Sequence, residues 1–212
     1  MPLHAVARPA QSESANPPVL VLLHGLAADE YDLIGLADEL SPEWFAVSYR
    51  APHLTGYGGY SWFGIQFLAD GSRLIDEDQA LESRELLIQE LKLLPDALGF
   101  KPSRFVLAGF SQGAMMASGI LFKEPRIADA YWLMSGRLVP QFVIPQISSD
   151  PKPVLAQHGL YDEVLPVTEG RELATQIRDI GHRLETHEYP MGHQISAASL
   201  DDARAWLANI LL

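Results

Sequence analysis

Cysteine is absent from the 212-residue sequence, which excludes disulfide bonds, thiolate metal sites and a cysteine nucleophile. The sequence also lacks an apolar run long enough to cross a bilayer, and its first residues lack the apolar stretch of a secretion signal. The absence of cysteine suits a reducing compartment. We therefore expect a cytoplasmic protein with no stable membrane insertion.

Basic residues are few, with 15 lysines and arginines against 27 aspartates and glutamates and a formal net charge of −12. A protein with this charge repels nucleic acids and anionic membrane surfaces, so we expect no nucleic-acid partner. The sequence also contains neither an H-E-x-x-H pattern nor paired cysteines. We therefore expect no metal and no other cofactor.

Short apolar runs alternate with amphipathic stretches, which predicts an α/β protein with a mostly parallel central sheet and helices on both of its faces. Five runs predict buried strands, at 19–23, 45–49, 105–108, 130–134 and 154–157. The more polar stretch 184–189 predicts an edge strand, and a weak first strand precedes residue 19. Because 48% of the residues are hydrophobic, we expect residues 1–212 to form a single domain.

Leucine and isoleucine recur at helical spacing in the segments between the later strands. The first such helix covers residues 81–94 and is expected to end at Pro95, because proline cannot donate a helical hydrogen bond. A second helix is expected between Pro166 and Gly181, and a last one at about residues 196–211.

Two glycines flank Ser111 in the segment Gly109-Phe110-Ser111-Gln112-Gly113, which follows an apolar run and precedes a helix-forming run. A strand that turns abruptly into a helix strains its pivot residue, so its neighbours need side chains too small to clash. Ser111 would then lie at a helix N-terminus, where backbone N–H groups stabilise an oxyanion. The pattern predicts a nucleophilic serine, although an ordinary glycine-rich turn also fits this segment by itself.

A nucleophilic serine needs a histidine base, which in a hydrolase with this turn follows the last strand. Of the seven histidines, His193 is best placed, because its loop lies between the edge strand and the last helix. His187 falls inside the edge strand, and His182 adjoins Gly181 at the end of a helix. His158 leaves no room for an acid between itself and the serine in this chain order.

The acid that orients the base is expected after the serine and before the histidine, at the end of a strand. Asp162 meets these requirements, because it follows the strand at 154–157 in a loop that closes at Pro166. Helix capping or simple solvation is the alternative role, and it also fits Glu163 and Asp150. We predict that Asp162 accepts the Nδ1 hydrogen of the histidine.

Acyl transfer also requires backbone donors for the oxyanion, which come from the residue after the nucleophile and from a loop after an early strand. The N–H of Gln112 meets the first requirement. Gly25 follows the strand at 19–23 and lets the backbone approach, so we predict the N–H of Leu26 as the second donor. A plain turn at the end of the strand is the alternative.

The long segment 53–78 contains several aromatic residues among glycines, which predicts an apolar wall over the serine. Trp62 and Phe63 are the predicted substrate-binding residues of this wall. Packing of these rings onto the core fits the sequence equally well. The apolar segment 139–147 is a second predicted wall.

Short motifs occur in a characteristic order along nearly the whole chain: Leu23-His24-Gly25-Leu26, Asp29-Glu30-Tyr31-Asp32-Leu33, Ala51-Pro52, Trp62-Phe63, Gly109-Phe110-Ser111-Gln112-Gly113, Ser135-Gly136, His158-Gly159-Leu160-Tyr161-Asp162 and Met191-Gly192-His193. Through them the sequence resembles the carboxylesterase and acyl-protein thioesterase group of small α/β-hydrolases, which includes lysophospholipases. The stretch at 29–33 is more similar to the bacterial carboxylesterase branch. The sequence departs from common family residues at three positions: it has Ala114 in place of a glycine, Gly64 in place of an acidic residue and Glu163 in place of a proline.

The resemblance implies an α/β-hydrolase fold with a Ser111–Asp162–His193 triad and oxyanion donors at Leu26 and Gln112. It also implies a small-molecule ester or acyl substrate and makes a homodimer the expected assembly. We therefore expect a serine carboxylesterase for short-to-medium-chain esters that works through an acyl-enzyme. An acyl-protein thioesterase or a lysophospholipase with the same triad is the alternative, and a non-catalytic binding module on this scaffold is a remoter one.

Overall fold

The apolar runs of the sequence become strands in the computed structural model, which describes residues 2–68, 73–144 and 147–211 without the side chain of Phe67. The strands are β1 Ala5–Arg8, β2 Val19–Leu23, β3 Phe45–Tyr49, β4 His53–Leu54, β5 Tyr60–Ser61, β6 Ile65–Phe67, β7 Arg73–Ile75, β8 Phe105–Phe110, β9 Ala130–Met134, β10 Pro153–Gly159 and β11 Arg183–Tyr189. The predicted buried strands and the edge strand are all present.

Seven of these strands form the main sheet in the order β1-β3-β2-β8-β9-β10-β11. All neighbouring pairs are parallel except β1 and β3. The strands β4 and β5 form a small antiparallel hairpin, as do β6 and β7, so the segment 53–78 is not a single loop. The prediction of a mostly parallel sheet with an edge strand at 184–189 is confirmed.

In the part of the chain that the structure describes, five α-helices cover the sheet: α1 Leu36–Leu40, α2 Glu77–Leu98, α3 Gln112–Lys123, α4 Val167–Asp179 and α5 Ala197–Leu211. Side chains of α2, α3 and α4 pack on one face of the sheet, and side chains of α1 and α5 pack on the other. Successive residues of β2 alternate between these two cores, because side chains of a strand point to opposite faces. No helix among the described residues is long and apolar enough to cross a membrane.

The helix α2 continues past Pro95, which corrects the expectation that it ends there. It ends instead at Gly99, whose φ of 74° suits glycine and whose N–H donates to the carbonyls of Pro95 and Asp96. Proline removes one helical hydrogen bond, but it does not prevent the following residues from completing one more turn. The boundary is therefore set by the glycine, four residues later.

Two chain segments leave the sheet side by side at its carboxyl edge, where ligands bind in open α/β sheets. The strands β3 and β8 lie on opposite sides of β2, and Leu23 of β2 pairs with Gly109 of β8. The loop after Leu23 and the turn after Phe110 therefore begin next to each other. The extent of the fold as a single domain over residues 1–212 stays a prediction.

Candidate active site

Ser111 occupies a strained turn between β8 and α3, with φ 53° and ψ −116°. A Cβ at Gly109 would lie 2.3 Å from the backbone of Gly113, and a Cβ at Gly113 would lie 1.9 Å from the carbonyl oxygen of Leu23. Side chains at either position would collide with backbone, so the tight turn requires both glycines. The N–H of Ser111 donates to the Met134 carbonyl at 2.8 Å, which ties the turn to β9.

The structure brings Ser111, His193 and Asp162 into one hydrogen-bonded row. The Oγ of Ser111 lies 2.9 Å from Nε2 of His193, and Nδ1 of His193 lies 2.6 Å from Oδ2 of Asp162. Because a carboxylate only accepts, Nδ1 carries the hydrogen and Nε2 presents its lone pair to the serine hydroxyl. This arrangement can take the proton of Ser111 as the hydroxyl attacks an electrophile.

Asp162 is buried, and its second carboxylate oxygen is held by its own loop. Its Oδ1 accepts hydrogen bonds from the N–H groups of Val164 and Leu165, at 2.9 and 2.7 Å. The start of this loop packs closely on the loop of His193, because a Cβ at Gly159 would lie 2.3 Å from the Gly192 carbonyl oxygen. The predicted acid and the predicted base are therefore fixed relative to each other by close packing of their loops.

A second histidine lies beside Asp162, and sequence reasoning missed this contact. Nε2 of His158 donates to the Leu165 carbonyl at 2.8 Å and lies 3.4 Å from Oδ2 of Asp162. A Cβ at Gly170 would lie 2.4 Å from Nδ1 of His158, so this glycine inside α4 makes room for the ring. Glycine is unfavourable inside a helix, so Gly170 in the predicted helix was a possible sequence signal that another group packs closely against the backbone there.

Two other histidines that competed for the role of base, His187 and His182, do not line the cavity beside Ser111. His187 is hydrogen-bonded to Glu185 at 2.7 Å and faces Asp202 at 3.5 Å. His182 is buried, and its Nδ1 accepts the N–H of Lys152 at 3.1 Å. Burial lowers the pKa of His182, which favours the neutral ring.

The two predicted oxyanion donors lie in the wall of the same cavity as Ser111. Within the described part of the chain, the N–H groups of Leu26 and Gln112 have no hydrogen-bond acceptor. Gln112 is the first residue of α3, and the first N–H groups of any helix lack an intrahelical partner. Both donors are therefore available to a developing negative charge.

His24 fixes the loop that carries Leu26. Its Nδ1 donates to the Gly25 carbonyl at 2.7 Å, and its Nε2 accepts the N–H of Ala51 at 3.0 Å. Burial lowers the pKa of His24, so the ring stays neutral and keeps both bonds. The ring is thus a structural part of the loop rather than a second base.

Trp62 and Phe63 are both completely buried in the core. The indole N–H of Trp62 donates to the His24 carbonyl at 2.9 Å, which holds the ring under the Leu26 loop. Neither ring lines the cavity beside Ser111. Of the two interpretations that the sequence allowed, packing onto the core is the one that agrees with the burial of both rings.

The cavity beside Ser111 and His193 has a volume of about 210 Å³. Its apolar lining includes Ile65, Phe110, Met115 and Leu165, and its polar lining includes two arginines: Arg73 and Arg137. Of the expected wall at 53–78, only Ile65 and Arg73 reach the cavity among the described residues, and residues 69–72 lie outside them. The sequence could have indicated Arg137 as a cavity residue, because it follows the end of a predicted strand. The sequence around Arg73 carries no comparable signal.

The second expected wall, 139–147, does not line this cavity where the structure describes it. Val139 and Phe142 are fully buried in the core instead. The ring of Phe142 fills the space over Gly119 of α3, where a Cβ would lie 2.5 Å from it. Residues 145 and 146 lie outside the described residues.

Comparison with known proteins gives consistent matches over this fold. The model of the phospholipase/carboxylesterase family matches residues 4–211. An acyl-protein thioesterase 1 of Gibberella zeae is 30% identical over 159 residues, which cover 71% of this chain and 68% of that protein. The crystal structure of esterase PE8 has a TM-score of 0.87 and 31% identity, covering 99% of this chain and 100% of that one. The Bacillus cereus carboxylesterase shares the fold, with a TM-score of 0.85, 24% identity and coverage of 98% and 94%.

Proposed function

Because the chain belongs to the phospholipase/carboxylesterase family, we propose that it is a serine carboxylesterase that hydrolyses short-to-medium-chain esters through an acyl-enzyme on Ser111. The broader activity follows from this membership: the chain is a hydrolase of the carboxylesterase and acyl-protein thioesterase type. The observation that carries the finer proposal is the hydrogen-bonded row from Ser111 through His193 to Asp162, with distances of 2.9 and 2.6 Å.

In the acylation step, Oγ of Ser111 attacks the ester carbonyl carbon while its proton moves to Nε2 of His193. The imidazolium that forms is stabilised by Asp162, which accepts its Nδ1 hydrogen. The N–H groups of Leu26 and Gln112 donate to the oxyanion of the tetrahedral intermediate. When the carbon–oxygen bond to the alcohol breaks, Nε2 returns the proton to the leaving alcohol.

Deacylation repeats these steps with water as the nucleophile. A water molecule attacks the acyl carbon and gives one proton to Nε2 of His193, and the same backbone N–H groups hold the oxyanion. Collapse of the intermediate breaks the bond to Ser111, whose oxygen regains a proton from Nε2. A carboxylic acid leaves, and the residues return to their starting protonation states.

A fluorophosphonate probe tests whether Ser111 is an activated nucleophile, because such probes react covalently with activated serines. We expect wild-type protein to be labelled on Ser111 and the Ser111→Ala variant to remain unlabelled. Ser118→Ala is a matched control, since Ser118 is a buried serine in α3 whose hydroxyl donates to the Met115 carbonyl. A folded wild-type protein without label would support the non-catalytic binding module instead.

Thioesters are the alternative substrates. Hydrolysis of lysophospholipids would be ester hydrolysis by the same catalytic residues. The observation that supports the thioesterase alternative is the 30% identity to an acyl-protein thioesterase 1. Values of kcat/KM on matched oxygen and thiol esters of one acyl group separate the two activities. We expect the oxygen ester to be preferred after correction for leaving-group reactivity. A homodimer and a cytoplasmic location stay predictions from the sequence.

A further inference from the structure

The cavity beside Ser111 contains an unusual share of positive charge for this protein. Only 15 of the 212 residues are lysine or arginine, and the formal net charge is −12. Nevertheless Arg73 and Arg137 both line this small cavity. They come from separate segments, Arg73 from β7 and Arg137 from the turn after β9, so their convergence is produced by the fold.

One carboxylate, that of Glu169 in the first turn of α4, lies near both arginines. Its Oε1 is 3.8 Å from Nη1 of Arg73, and its Oε2 is 3.8 Å from Nε of Arg137. Both separations exceed hydrogen-bond length, and within the described residues the buried Oε2 has no hydrogen-bond partner. Among the described residues, Glu169 is thus the carboxylate that lies within 4 Å of both guanidinium groups, and it holds neither of them by a hydrogen bond.

Within the described residues, the two guanidinium groups use few of their N–H donors. Arg73 donates to the carbonyl of Val164, at the edge of the Asp162 loop. Among the residues that the structure describes, Arg137 donates no hydrogen bond to another protein group, and each arginine side chain is 20% exposed. Because a guanidinium presents paired N–H groups in one plane, it matches the two oxygens of a carboxylate.

We propose that Arg73 and Arg137 form a carboxylate-binding subsite, and that the substrates are esters that carry a free carboxylate, such as monoesters of dicarboxylic acids. The inference rests on the proposed esterase function and adds the substrate class to it. The apolar side chains of Ile65, Met115 and Leu165 contact the methylene chain between the ester and the carboxylate. The cavity, about 210 Å³, is smaller than the roughly 300–1,000 Å³ of pockets for drug-sized ligands, which suits a small diacid.

Two p-nitrophenyl esters that differ in one charge test this subsite. One is mono-p-nitrophenyl adipate, and the other is the same molecule with its free carboxylate methylated. We expect wild-type protein to have the higher kcat/KM on the charged ester, mainly through a lower KM. Arg137→Gln and Arg73→Gln should each lower the ratio of the two kcat/KM values about tenfold, the effect of losing a charge-assisted hydrogen bond.

A variant of opposite sign and a surface control sharpen the test. Glu169→Gln removes the carboxylate near both arginines and should raise the ratio. Arg126→Gln changes an arginine that is 80% exposed and outside the cavity, and it should leave the ratio unchanged. If the arginines serve only to fasten β7 to α4 through Glu169, the variants lower the Tm and leave the ratio at its wild-type value, which overturns the proposal.

Titration calorimetry with adipate separates the subsite from the chemistry, since binding requires no turnover. We expect adipate to bind wild-type protein, and its Kd to rise about tenfold in Arg137→Gln and not in Arg126→Gln. If neither ester is hydrolysed while adipate binds in this pattern, the esterase proposal fails and the subsite stands. Equal hydrolysis of the two esters, or adipate binding that is absent or insensitive to both arginines, overturns the subsite.

Discussion

The backbone N–H of Trp62 donates a 2.8 Å hydrogen bond to Oε1 of Gln112, the residue directly after Ser111. Nε2 of the same glutamine donates to the Phe63 carbonyl at 2.8 Å, and the Ser83 hydroxyl donates to the Trp62 carbonyl. The backbone at 62–63 thus holds the residue whose N–H is a proposed oxyanion donor. Trp62 and Phe63 support the site from the core and do not contact the cavity.

Trp62→Ala should destabilise the protein by about 3–5 kcal/mol, because it empties a fully buried site. Values of kcat/KM should fall by a similar factor for p-nitrophenyl esters of all chain lengths, since the ring does not touch the acyl chain. Tyr57→Ala is the control, as this ring is 70% exposed. A changed ranking of chain lengths with an unchanged Tm would contradict this account of Trp62.

Gly113→Ala should prevent the tight turn at Ser111, because its Cβ would lie 1.9 Å from the Leu23 carbonyl oxygen. We expect a loss of at least about 4 kcal/mol in the free energy of unfolding, measured by urea denaturation. The control is Gly35→Ala, where φ is −64° and no atom lies within 4 Å of the added Cβ. Equal stability of the two variants would mean that the close approach is not required.

Glu30 forms an ion pair that should make stability depend on pH. Its buried carboxylate accepts hydrogen bonds from Nε and Nη2 of Arg50 at 2.6 and 2.5 Å, and these lower the pKa of Glu30. The pair stabilises the fold fully above the pKa of an unfolded glutamate, about 4.3, and this contribution is lost as the pH falls through the lower folded-state pKa.

The Glu30→Gln variant tests the ion pair directly. Thermal unfolding at neutral pH should give the variant a lower Tm than wild type, and the difference should shrink as the pH falls below about 4.3. Glu43→Gln changes an exposed carboxylate near α1 and serves as the control. A Tm difference that stays constant down to strongly acidic pH would show that the charge of Glu30 does not contribute.

Much of the fold and the position of Ser111 could be predicted because the signals are local. Buried parallel strands are short apolar runs, and the spacing of Gly109 and Gly113 follows from backbone sterics within one turn. The order of residues along the chain then selected Asp162 and His193. The structure places His193 within hydrogen-bond distance of both Ser111 and Asp162. These inferences rest on local patterns and on the order of the residues along the chain, although the row itself joins distant segments.

The features that the sequence left undecided or did not indicate depend on contacts between segments that are far apart in the chain. The burial of Trp62 is set by hydrogen bonds to His24 and Gln112, which no pattern around residue 62 reveals. Arg73 and Arg137 are 64 positions apart in numbering, and only the fold brings both of them to one cavity and to within 4 Å of Glu169. The end of α2 was misplaced because proline near a helix end competes with the glycine cap that follows it.

The kcat of His193→Ala, measured beside that of His187→Ala on a neutral p-nitrophenyl ester, tests the central claim most directly. His193 lies 2.9 Å from Ser111 Oγ, whereas His187 is paired with Glu185 on the exposed edge strand. Since serine and base act as a unit, His193→Ala should lower kcat by roughly 10⁴ or more with little change in Tm. His187→Ala should keep wild-type turnover. Near wild-type turnover in a folded His193→Ala protein would contradict the proposed Ser111–His193–Asp162 mechanism.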